Sequence, residues 1–74
     1  MTKKKFCEEL CALLIKTGQH DELVELEYQA RETGEWVIPH WWDPINQRRY
    51  TGKAINVTAD SMTAIIKDVL AGIE

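Results

Sequence analysis

Histidine, cysteine and proline each occur only twice in this 74-residue chain, and phenylalanine once. His20 and His40 stand at no metal-ligand spacing from a cysteine or from each other, whereas a structural zinc site needs about four such ligands. Neither a metal nor another cofactor is expected. Cys7 and Cys11 fall at i and i+4 of a helical pattern, where both side chains point the same way without the backbone geometry of a good disulfide. They read as free core thiols of a protein kept in a reducing compartment. No apolar run approaches the roughly 20 residues that cross a bilayer. Lys3, Lys4 and Lys5 are followed by Glu8 and Glu9 instead of the apolar stretch and small-residue cleavage site of a signal peptide, so the expected location is cytoplasmic. Cations are also in short supply: nine Lys plus Arg face twelve Asp plus Glu, a net charge of -3. That balance argues against a general nucleic-acid coat or a cationic membrane peptide.

Catalytic signatures are equally thin. Thr51-Gly52-Lys53 echoes the end of a phosphate loop but lacks the upstream glycine and the helix that should open there. Ser61 with His40 and an aspartate could be drawn as a triad, yet Ser61 is better explained by the first turn of a helix. Asn56-Val57-Thr58 satisfies a glycosylation sequon, which has no meaning without secretion. The expectation is a protein that is not an enzyme.

Hydrophobic residues make up 45% of the chain and charged residues 28%, enough for one folded domain over residues 1–74. From Thr2 to Lys16, Phe6, Leu10, Leu13 and Leu14 follow one helical face, widened by Cys7, Cys11 and Ile15. Thr2 suits the cap, and Gly18 the left-handed position past the end. A second helix is predicted over Ser61 to Ile73, where Met62, Ile65, Ile66, Val69, Leu70 and Ile73 recur at helical spacing behind Asp60 as N-cap.

The middle has strand character. Trp36 to Trp42 and Ala54 to Thr58 are rich in aromatic and β-branched residues. Glu22 to Arg31 fits either period, since Val24, Leu26, Tyr28 and Ala30 alternate while Leu23, Leu26 and Ala30 also match a helix. The strand is preferred because Glu32 to Glu35, with Gly34 free to take positive φ, makes a hairpin turn between two adjoining runs. Pro39 requires that its strand be an edge, be bulged, or be bonded on one side only at that point. Asp43 to Gly52 reads as a long polar loop. The expected fold is α+β: a small antiparallel three-stranded sheet with N-terminal and C-terminal helices packed on one face, αβββα.

Charge is unevenly distributed. Residues 20–35 hold Asp21 and five Glu against Arg31, whereas residues 36–53 hold Arg48, Arg49 and Lys53 against Asp43. The acidic arm is read first as a solvated sheet face, with Glu25 and Glu27 outward, and second as a mimic of phosphate. The basic segment carries all three tryptophans within seven positions, Trp36 to Trp42. Adjacent Trp41 and Trp42 must point to opposite faces of a strand, so one large aromatic is left over after the core is filled. Trp, Tyr and Arg are the side chains that most often anchor interfaces. The candidate binding residues are therefore His40, Trp41, Trp42, Arg48, Arg49, Tyr50 and Lys53. Opposed to this stands the reading that Trp36 and one of the pair are core and the arginines an ordinary solvated loop.

The run Ile55-Asn56-Val57-Thr58-Ala59-Asp60-Ser61, followed by Ala64-Ile65-Ile66-Lys67-Asp68-Val69 behind an amphipathic first helix and a hairpin, resembles a group of small uncharacterised proteins of phages and prophages of Gram-positive bacteria. The likeness covers the C-terminal third well and the hairpin loosely. It implies a setting alone, the accessory genes of mobile elements. The absence of catalytic groups, together with the surplus of aromatic and charged surface on so small a scaffold, points to a protein of the host cell as partner, with inhibition of a defence nuclease as one role. A nucleotide or single-stranded nucleic acid stacked on the aromatics is the alternative, and a homodimer that covers the spare indole is a third.

Overall fold

The computed structural model describes residues 1–18 and 20–73. Helix α1 (Lys3–Lys16) is followed by strands β1 (Leu23–Arg31), β2 (Gly34–Asp43), β3 (Arg48–Thr51) and β4 (Ile55–Asn56), then by helix α2 (Met62–Ile73). The architecture is the expected α+β one, with a helix at each end of an antiparallel sheet. The sheet gains a strand: part of the segment read as a polar loop, Asp43 to Gly52, is β3, paired to the end of β2 from His40↔Thr51 to Asp43↔Arg48. All four β3 residues are exposed, so no alternation of buried and exposed positions marks them in the sequence.

Ten-residue β2 organises the sheet. One edge pairs with β1 from Arg31↔Gly34 to Leu23↔Trp41. The other edge is shared, by β4 at Trp36 and Val37 and by β3 from His40 onward. Pro39 falls between those two partners. Its carbonyl accepts from Gly52 N at 2.8 Å. In an antiparallel strand the N and O of one residue face the same side, so the missing N–H falls where the partner changes and interrupts neither ladder. A central strand thus carries a proline at the point where it is bonded through its carbonyl alone.

The β1–β2 turn uses Gly34 at φ 145°, a region that β-carbon sterics close to other residues. A Cβ there would also stand 2.5 Å from Thr58 Oγ1. Gly34→Ala is expected to cost about 1–3 kcal/mol, read as a lower urea midpoint with an unchanged slope.

Thr2 caps α1, its hydroxyl accepting from Lys5 N at 3.1 Å, and Gly18 takes φ 73° beyond the last turn. The buried face of α1 is Cys7, Leu10, Cys11 and Leu14. It is centred on the free cysteines, and this turns Leu13 outward, 56% exposed, against the expectation that it is core. Ser61 caps α2 by accepting from Ala64 N at 3.2 Å, in place of the expected Asp60. Asp60 Oδ2 is buried with no hydrogen-bond partner among the described residues, and the Asp68 carboxylate, to which only a protonated Asp60 can donate, together with burial and repulsion raises its carboxyl above the usual range. Ile65 and Val69 of α2 meet the α1 face over Leu23, Leu26, Val37 and Val57, completing one core on one side of the sheet. No helix among the described residues is long and apolar enough to cross a membrane.

Candidate binding face and hairpin

Alternation along β2 sends Val37, Pro39 and Trp41 to the helix side and Trp36, Ile38, His40 and Trp42 to the other. Register carries the same division to the neighbours. Glu25, Glu27 and Gln29 of β1 and Arg49 and Thr51 of β3 share the outer face, whereas Arg48 and Tyr50 lie with Trp41 on the inner one. None of the outer side chains is fully buried. Trp36, considered for the core, is a half-buried residue of this outer face, and its indole Nε1 has no acceptor among the described residues.

The expected site residues therefore fall into two groups. His40, Trp42 and Arg49 stand together on the outer face, with Trp42 41% exposed. Trp41 packs against the core and meets His20 edge-on, with ring centroids 6.3 Å apart. Gly52 passes so close over it that a Cβ would sit 2.8 Å from Trp41 Nε1. Arg48 and Tyr50 border an open depression with Glu22 and Asp43, Tyr50 being 46% exposed. Lys53 follows the last β3 pair and is exposed.

Cross-strand polar contacts lace the outer face. Arg49 Nη2 donates to Glu25 Oε1 at 3.0 Å, reaching across β2. His40 Nε2 lies 2.8 Å from Glu27 Oε1. A carboxylate only accepts, so Nε2 carries the proton and, in the neutral ring, Nδ1 is left to accept from Thr51 Oγ1 at 3.4 Å. Hydroxyl, imidazole and carboxylate also build hydrolase triads, but this long contact lies on an open sheet face and is accounted for by cross-strand pairing. The Gln29 side chain, and after it His40, hold the Glu27 carboxyl below its usual range. Glu25 and Glu27 point outward, as the first reading of the acidic arm requires.

The β2–β3 turn is a feature that the sequence reading passed over. Asp43 Oδ1 accepts from Ile45 N at 3.0 Å and Asn46 N at 3.2 Å, and Oδ2 from Asn46 Nδ2 at 2.7 Å. These bonds, the one to the Asn46 side chain foremost, lower the Asp43 carboxyl. Gln47 at φ 52° closes the turn. An aspartate bonding its own following amides is a known turn former, and the Asp43-Pro44 pair together with Asn46 was the available signal. Ile45, at the tip, is 89% exposed. No group of three or more His, Cys, Asp or Glu among the described residues is placed to hold a metal ion. No protein-family model, no curated protein and no solved structure matches this chain.

Proposed function

We propose that the chain is a non-enzymatic binding protein, an accessory product of a phage or other mobile element, that docks on a folded host protein through the outer face of its sheet. Inhibition of a defence nuclease, in the manner of anti-CRISPR proteins, is the role this reading favours. The observation that carries it is Trp42, a large aromatic left 41% exposed beside His40 and Arg49 on the sheet face away from the core. A tryptophan exposed beside a guanidinium and an imidazole has the make-up of an interface anchor, because burying it gains much area at little rotamer cost. The face is acidic along β1, at Glu25 and Glu27, and cationic along β3, at Arg49. The complementary partner surface is an apolar pocket with basic groups toward β1 and acidic groups toward β3.

Nucleotide or single-strand binding is the weaker reading. Arg49 is already bound to Glu25, and Glu27 shares the same face, so a phosphate meets repulsion and an occupied guanidinium. The test is affinity capture from host lysate with the wild type and Trp42→Ala side by side, followed by titration of the purified captured protein. One protein held stoichiometrically by the wild type, with its affinity at least about ten-fold weaker for Trp42→Ala, is expected. Equal retention by both forms, or a captured protein that does not bind when purified, counts against the reading.

A further inference from the structure

Two features beyond Trp42 and its neighbours complement each other, and of the outer face they share only Glu25. The first is the β2–β3 turn. Three hydrogen bonds accepted by Asp43 hold it, Ile45 projects from its tip, and Arg48 at its base has no carboxylate within 4.0 Å among the described residues. An apolar side chain on so constrained a turn loses little freedom when it is buried. The second is a groove of about 270 Å³ between α1 and the start of β1, with Ala12, Ile15, Val24 and Leu26 inside and Glu8 and Glu25 at the rim. A β-bulge between Leu23 and Glu25 interrupts the pairing there, and Val24 stays partly exposed. An apolar groove with a carboxylate rim suits an aliphatic side chain that arrives with a cation. Glu8 has only a loose 4.0 Å contact to Lys5.

Turn and groove lie at the same end of the sheet. Trp42 N donates to Glu22 O at 2.7 Å, and Glu25 pairs with His40, so the groove begins where the hairpin leaves β1 behind. Ladder pairing as far as Asp43↔Arg48 carries the tip away from its own groove. Because both features occupy one end, a two-fold axis there brings two identical contacts together at once, whereas a single contact would leave an open chain. We propose that two copies of this chain form a closed, isologous dimer in which Ile45 of each copy seats in the α1–β1 groove of the other and Arg48 meets Glu8. Of the outer sheet face only Glu25 borders the groove, and Trp42 stays free, so the dimer presents that indole twice and a dimeric or repetitive target would be gripped with avidity.

Mass in solution, measured by sedimentation or light scattering across a concentration series, tests this. Ile45→Asp alters an exposed turn residue and Ala12→Arg an exposed helix position, so both variants should keep the wild-type circular dichroism. The wild type should pass from monomer to dimer with rising concentration and less readily at high salt. Each variant alone should need roughly ten- to a hundred-fold more protein to dimerise. Mixed one to one, the two should recover part of the association, because one intact turn then faces one intact groove. A wild type that stays monomeric overturns the proposal. So do variants that dimerise like the wild type, a mixture no better than its components, or a mass that climbs past the dimer. Neither position lies on the outer face, so failure here and failure of partner capture by Trp42 are separate outcomes.

Discussion

Leu26→Ala is expected to remove about 2–5 kcal/mol of folding stability, while Leu13→Ala changes it by only about 0.5 kcal/mol. A chain of 74 residues has roughly 4–11 kcal/mol in all, so the first substitution takes a large share of it. Leu26 is 2% exposed, held between the α1 face and the helix side of β2, opposite the buried ring of Pro39. Deleting its branched end opens a cavity among elements that cannot all close upon it, since β1 is tied by the β2 ladder and α1 by its own contacts. Leu13 belongs to the same residue type and lies in a more apolar stretch of sequence, yet 56% of it already meets solvent. Urea unfolding followed by tryptophan fluorescence separates the two. Equal losses would mean that the α1 face is turned differently on the sheet.

That contrast shows where the sequence is readable. Helical spacing located α1 and α2 to within a residue or two, because an apolar stripe along a helix must find a surface to cover it. It did not fix the rotation of α1. Seven apolar positions spread over more than half the circumference, and the sheet selected the sector centred on Cys7, Cys11 and Leu14. The hairpin turn at Glu32 to Glu35 decided β1 where periodicity alone was ambiguous, and alternation set Trp41 and Trp42 on opposite faces. β3 was invisible because Arg48 to Thr51 buries nothing; it exists because the Asp43 turn returns the chain to the free edge of β2. The same omission blurred the candidate site. Without the β3 register, His40, Trp42 and Arg49 could not be told apart from Trp41, Arg48 and Tyr50, although period-two spacing separates His40 and Trp42 from Trp41. Ile45 drew no attention at all, since exposure of an isoleucine is a property of the turn and not of its neighbours in sequence.

Glu35→Gln is expected to lower the melting temperature by several degrees at neutral pH and by almost nothing near pH 2. Glu35 joins four parts of the fold. Its Oε2 accepts from Lys3 Nζ of α1 at 2.8 Å and from the Tyr28 hydroxyl of β1. Its Oε1 accepts from Ala59 N at 2.9 Å, just before α2. Ala59 stands at φ 60°, costly for a residue with a β-carbon, and the carboxylate helps to hold it there. Nothing in the sequence distinguishes Glu35 from the four other glutamates of its segment, because its role exists only once the chain after β4 has come back to the first hairpin. Lys3, then Tyr28, then the Ala59 amide bring its carboxyl from 4.5 down to about 2. A carboxyl lowered by folding contributes stability that is complete above its unfolded value and is lost as the pH falls from about 4.5 toward about 2. Tyr28, raised from 10.0 to about 12 chiefly by the same hydrogen bond, behaves in the opposite sense: its contribution is complete below pH 10 and fades as the pH climbs toward 12. Part of the effect is screened, since the Glu35 and Lys3 side chains are 22% and 28% exposed, so added salt should narrow the gap without closing it. Thermal melts of wild type and Glu35→Gln at intervals from pH 2 to pH 7 are the measurement, and the two curves should converge in acid. Curves separated by a constant gap over the whole range would mean that the loss does not come from the carboxylate charge, and coincident curves that the glutamine replaces it bond for bond.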